Sequence, residues 1–136
     1  MTPNRRPARI LAMQALTQWD VQQDESPAAL EAFLEHEPEG GAAHYAGELV
    51  RGFWASGEEV DRLISSAAER WTLPRISSVD RNIIRVAVVE MLQGLVPWKV
   101  TIDEAIEIGK EYGGADSPRF INGVLDKVLS VLPSRD

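Results

Sequence analysis

Apolar residues recur along this chain at helical spacing, and no segment alternates as a half-buried strand would. Ala8, Leu11, Ala12, Ala15, Leu16 and Trp19 form one stripe and predict a helix over 5–22. Pro7 falls in its first turn, where a missing N–H is harmless. Ser26-Pro27 opens a short second helix through about Leu34, and the stretch 35–41, with Pro38, Gly40 and Gly41, reads as a loop. A third helix over 42–55 breaks at Ser56-Gly57, where Ser56 and Glu59 fit a capping box for a fourth. The fourth buries Val60, Leu63, Ile64, Ala67 and Ala68 and stops near Trp71, before Pro74.

Ser77 and Asp80 start a fifth helix by the same spacing. Its body, Ile83 to Leu92, is apolar on most sides, the mark of a helix surrounded by neighbours. Gly94 and Pro97 stop it. Thr101 and Glu104 cap a sixth helix with the stripe Ile102, Ala105, Ile106 and Ile108, ended by Gly113-Gly114. Ser117-Pro118 begins the last one, with serine as N-cap and proline at the first helical position. Asn122-Gly123 is a favoured hairpin dipeptide, but the apolar period runs unbroken on both sides of it. Gly123 therefore belongs inside the helix, where it permits a neighbouring helix to approach. The pattern gives an all-α chain of about seven helices, organised as one domain over residues 1–136 with no internal repeat.

The chain has no cysteine, which excludes disulfides and thiolate metal sites. No apolar run approaches the roughly 18 residues that span a bilayer, and the N-terminus has no apolar signal segment. A cytoplasmic protein is expected. The net charge of −7 argues against nucleic acid, but its distribution does not. Residues 1–19 carry Arg5, Arg6 and Arg9 and no acid, whereas 20–61 hold eleven acids against Arg51 alone. Phosphate responds to charges within roughly a Debye length, about 8 Å at physiological salt. A basic arm on an acidic body can thus bind RNA, or the arginines can simply keep a helix start soluble.

Enzymatic constellations are absent from the pattern. His36 and His44 lie eight apart across Gly40-Gly41, without the i, i+4 spacing of a helical metal pair. Glu104, Glu107 and Glu111 fall on one outer helix face, the ordinary place for solvated charge. Glu90 sits in the most apolar helix, as a perturbed acid or as a structural partner to an arginine such as Arg81 or Arg85. No enzyme, no cofactor and no metal are expected. What remains is recognition. Arg5 and Arg9 share a helix face, and guanidinium groups suit phosphate by donating paired, planar hydrogen bonds. Arg119 beside Phe120 offers a cation next to a ring on which a base can stack, although Phe120 can equally be the first core residue of its helix.

Three blocks carry a resemblance. Arg5-Arg6-Pro-Ala-Arg9 leading into Gln14-Ala-Leu16 is similar to the N-terminal pattern of the NusB family. Val79-Asp80 through Ala87, with Glu90-Met-Leu92, resembles its central helix. Pro97 to Asp126 resembles its last two helices, above all Glu104-Ala-Ile-Glu107 and Phe120-Ile-Asn122-Gly-Val-Leu-Asp126. The resemblance implies two stacked three-helix units with an additional helix. It also implies a transcription antitermination factor that binds single-stranded boxA-type RNA jointly with NusE, itself a small-subunit ribosomal protein, and joins the RNA polymerase elongation complex. Carried over by position, Arg5, Arg6 and Arg9 hold the RNA backbone, and Arg119 and Phe120 extend that surface. Asp80 faces NusE, and Asp116 lies near the joint surface. The arm and the Arg119-Phe120 corner are expected on one exposed face, with the three arginines replaceable without loss of fold.

The chain departs from the family pattern at Thr17, Val89 and Asp103, where an aromatic, a tyrosine and an asparagine are frequent, and this touches fine RNA preference. Some ribosomal RNA cytosine methyltransferases carry a NusB-like domain; the end of the chain at Asp136 and the lack of a catalytic cysteine speak against that class. A module acting only through protein contacts, as a monomer or a homodimer hiding the arm, is the remaining alternative.

Overall fold

The computed structural model describes residues 5–22, 40–94 and 96–133. Among them are five α-helices: α1 (Arg6–Gln22), α2 (Gly40–Ala68), α3 (Ser78–Gln93), α4 (Trp98–Tyr112) and α5 (Ser117–Val131). One 3-10 turn, Leu73–Arg75, precedes α3, and no strand occurs among the described residues. Five helices replace the seven expected, for two reasons. The helix expected after Ser26-Pro27 lies outside the described residues. The third and fourth run on from one another as two segments of α2, joined by a kink at Ser56, which leaves helical geometry (φ −124°, ψ 18°). The kink falls where the sequence places the break.

The central helix is α3, as its pattern predicts: ten consecutive residues from Asn82 to Met91 are buried. It packs with α1 and α2 on one side and with α4 and α5 on the other, so both triples share it, and α2 also reaches α5. Leu16, Leu49, Ile64, Ile84, Met91, Ile121 and Leu125 are all fully buried in the common core. The start of α3 follows its sequence signal, with Ser77 Oγ accepting from the Asp80 N–H at 3.2 Å. Its end is set by Gly94, which takes the left-handed conformation (φ 70°) while its N–H reaches the Glu90 carbonyl.

A polar knot anchors this bundle near the start of α3. Asp20 of α1 accepts from Arg81, Asn82 and Arg85 at 2.8, 3.1 and 3.2 Å. Arg85 also makes a two-pronged bond to Asp61 of α2 at 2.9 and 3.0 Å, and its guanidinium lies 4.9 Å from the Phe53 ring centre. Arg81 donates to the carbonyls of Leu73 and Ile76, pinning the 3-10 turn. A buried guanidinium cannot shed its charge, so its burial is tolerated only because two carboxylates and ring faces surround it.

Two further expectations are corrected. Thr101 and Glu104 do not cap α4, which begins earlier at Trp98; Thr101 is buried and Glu104 is committed to α1. Gly123 is not a close-approach site: a Cβ there meets nothing within 4 Å. No helix among the described residues is long and apolar enough to cross a membrane.

Candidate nucleic-acid interface

The arginine arm sits where the start of α1 meets the end of α3 and the start of α4. Each arginine is held by a different device. Arg5 is half-buried, its guanidinium 4.4 Å from the centre of the Tyr45 ring. Arg6 donates from Nε and Nη2 to both oxygens of Glu104, at 2.7 and 2.8 Å, the paired geometry that guanidinium and carboxylate prefer. Arg9 is 5% exposed and donates from Nε to both oxygens of Glu90 at 3.0 Å. Its Nη1 lies 3.6 Å from Glu104.

Glu90 is fully buried, and three donors converge on it: Arg9, the Tyr45 hydroxyl and Thr101 Oγ1 at 2.7 Å. Its arginine partner is thus Arg9 of α1, not Arg81 or Arg85, which serve the knot at the other end of the helix. The expectation that all three arm arginines stand on the surface is corrected for Arg9. It is a core residue that orients Glu90 and leans on Glu104.

These contacts set the electrostatics. The Arg6 hydrogen bond, aided by the Arg6 and Arg9 charges and opposed by partial burial, holds the Glu104 carboxyl below its ordinary value. The same bond raises Arg6, and the nearby charges of Glu107 and Glu111 raise it further. Burial, then the bond to Glu90, pushes the Tyr45 hydroxyl up to about 12. Three arginines therefore meet four carboxylates here, and the two that keep surface exposed to an external anion are Arg5 and Arg6. Glu107, paired with Lys110 at 3.0 Å, and Glu111 lie exposed on the outer face of α4 as expected, whereas Glu104, expected with them, is taken up by Arg6.

The other candidate residues gather at the opposite end of α3. Asp80 accepts from Ser117 Oγ at 2.6 Å, and that oxygen accepts in turn from the Gly114 N–H at 2.8 Å. Ser117, expected to cap α5, instead fastens the α4–α5 turn to α3. Asp116 takes the cap position, its carbonyl receiving the Phe120 N–H at 3.0 Å. Asp80, Asp116 and Phe120 line one open groove with Trp71 and Arg75. Phe120 is half-buried against the core, with Arg119 exposed beside it. Asp80 and Glu90 are ten residues apart on α3, which at 1.5 Å per residue places the two ends about 15 Å apart. The structure thus brings together Arg5, Arg6 and Arg9, and separately Asp80, Asp116, Arg119 and Phe120. It does not merge the two groups into one patch.

Sequence reasoning missed Tyr45 and Glu104 as the seats of the arm. Tyr45 gave no signal, since its role depends on a contact between helices. Glu104 looked like one more exposed acid.

A model of the NusB family matches residues 6–130. The chain belongs to the NusB family. The transcription antitermination protein NusB of Anaeromyxobacter dehalogenans is 47% identical over 135 residues, covering 98% of this chain and 95% of that one. NusB of T. maritima superposes with a TM-score of 0.85 at 39% identity, over 96% of this chain and 94% of that one. A chain in the crystal structure of the antitermination factors NusB and NusE in complex with double-stranded RNA has the same fold (TM-score 0.82, 24% identity, 94% of this chain and 97% of that one). The NusB blocks noted in the sequence map onto the start of α1, onto α3 and onto α4–α5. These are the elements that build both ends described above.

Proposed function

We propose that this NusB-family chain is a non-enzymatic transcription antitermination factor of the cytoplasm. It binds single-stranded boxA-type RNA together with NusE, joins the RNA polymerase elongation complex and supports ribosomal RNA transcription. The reading is supported by the name of the relatives and by the antitermination complex of NusB, NusE and RNA formed on this fold.

The observation that carries it is the seating of Arg5 and Arg6, one on a ring and one on a carboxylate. Side chains already fixed in place lose little freedom when they meet phosphate. Arg5 and Arg6 take the RNA backbone, with Arg9 acting as a positioning residue through Glu90. Arg119 and Phe120 supply a further phosphate contact and a stacking ring, and Asp80 and Asp116 form the NusE side of the groove they share. About three phosphate contacts give a salt slope near −2 for single-stranded RNA. So shallow a slope leaves NusE to contribute much of the affinity.

The test is binding of a boxA-type oligonucleotide to the protein with NusE present. Arg5→Ala with Arg6→Ala, which spares buried Arg9, is expected to lower affinity at least about tenfold and to flatten the salt slope by about 1.4, leaving NusE capture unchanged. Unchanged RNA affinity in this variant removes the arm assignment. Equal recovery of RNA with and without NusE removes the joint mechanism.

A further inference from the structure

Phe120 and Trp71 together form a ridge with a groove on each side. One side carries Asp80 and Asp116. The other runs between the end of α2 and the outer face of α5, lined by Arg70, Trp71, Arg119, Phe120, Gly123 and Lys127. Its chemistry is the reverse of its neighbour's. Three cations and one carboxylate, Glu69, line it, and Glu69 pairs with Lys127, which leaves Arg70 and Arg119 as its uncompensated charges among the described residues. Arg70 and Arg119 are exposed and have no ion-pair partner among the described residues.

Two features of this groove lack a role in holding the fold. Trp71 is 48% exposed, a large ring half in water beside two guanidinium groups with no ion pair among the described residues. Gly123, exposed in mid-helix, lines the groove with open space where a Cβ would be, although glycine is the poorest helix former after proline. A flat ring, flanking cations and a lining stripped of side chain suit an unstacked base with its phosphates.

We infer that this basic groove is an RNA subsite: a nucleobase stacks on Trp71 above Gly123, and its flanking phosphates lie against Arg70 and Arg119. The inference rests on the RNA-binding reading above and adds Trp71, Arg70 and Gly123 to it. It also divides the corner, with RNA on the basic side of the ridge and the protein partner on the acidic side.

The test uses the same oligonucleotide, with NusE present, and measures RNA affinity and NusE capture in parallel. Trp71→Ala is expected to weaken RNA binding by roughly 5- to 100-fold, the range found when a stacking ring is truncated. Trp71→Phe keeps a ring and is expected to restore most of that loss. Gly123→Leu is expected to leave the thermal midpoint unchanged or raised while weakening RNA binding, because it fills the groove without touching the core. RNA is also expected to quench the fluorescence of the wild type, and less so that of Trp71→Phe. Wild-type RNA affinity in Trp71→Ala and Gly123→Leu, with Arg5→Ala/Arg6→Ala impaired, overturns the subsite alone. Loss of NusE capture with RNA binding intact assigns the groove to the protein partner and equally overturns it. No RNA binding by the wild-type pair removes the functional reading and the subsite together.

Discussion

The arginine arm at the Glu90 end of α3 and the basic groove near its Asp80 end use the same residue type in opposite ways. In the arm all three arginines are seated: Arg5 on Tyr45, Arg6 on Glu104, Arg9 on Glu90. In the groove Arg70 and Arg119 stand in solvent beside an exposed tryptophan, while Arg81 and Arg85 nearby are committed to the knot. Seated cations are preorganised but already partly neutralised; open cations keep their full charge and must be ordered by whatever binds. The first arrangement favours geometric selectivity and the second favours attraction. A protein needing both from few basic residues can place them apart.

Substitutions sharpen that contrast. The largest effect is expected from Arg9→Ala, which strands a buried carboxylate; breaking such a pair costs about 3–5 kcal/mol, measured as the loss of unfolding free energy in urea. Removing both charges, with Arg9→Met and Glu90→Gln, is expected to recover most of it. If Arg9→Ala costs under about 1 kcal/mol, the Glu90 end is as open as the other. Tyr45→Phe removes one of the three donors to Glu90 and is expected to cost about 1.5–3 kcal/mol, as for hydrogen bonds to charged groups.

Tyr45 also predicts an alkaline limit. A hydroxyl pushed up to about 12 stays protonated in the folded state while its unfolded counterpart ionises near 10. Its contribution is complete below pH 10 and is lost as pH rises to about 12. Tyr45→Phe is expected to flatten that part of a stability–pH profile.

Smaller effects come from the open features. Gly123→Ala is expected to stabilise the fold by up to about 1 kcal/mol, the helix-propensity difference, because nothing surrounds the added methyl; a destabilised variant would mean that this face is packed. Glu104→Gln is expected to cost about 1 kcal/mol or less, since Arg6 is 43% exposed and water screens the pair. With its carboxyl held low, Glu104 stabilises the fold above the ordinary carboxylate pKa of about 4.3. That contribution is lost as pH falls through the lower folded value. The variant is therefore expected to lose less stability than wild type on acidification below pH 4.

The fold was legible because burial leaves a period in the sequence. The run of α3, apolar on most sides, gave its central place, and the stripe of α1 gave its buried face. The position of the kink in α2 was legible too, since Ser56-Gly57 carries the signals of a stop and Ser56 leaves helical geometry there; that the two segments run on without a loop was not. Capping spacings have the same weakness. Ser77 and Asp80 act as the spacing suggests, whereas Thr101 and Glu104 share it and are drawn away by Glu90 and Arg6. The candidate site was legible as residue types and illegible as pairings. Sequence shows that Glu90 requires a cation, but only the crossing of α1 over α3 decides that it is Arg9. Gly123 shows the converse, a residue read as packing that the structure leaves bare.

Two hydroxyl groups, Thr101 on Glu90 and Ser117 on Asp80, bolt α4 and the head of α5 to carboxylates ten residues apart on the central helix. The hairpin cannot slide along its support without shearing one bolt. The molecule is consequently a ruler of fixed length. If RNA occupies both the arm and the Trp71 groove as proposed, a strand that reaches from one to the other is measured against it, and a shorter one settles for a single end.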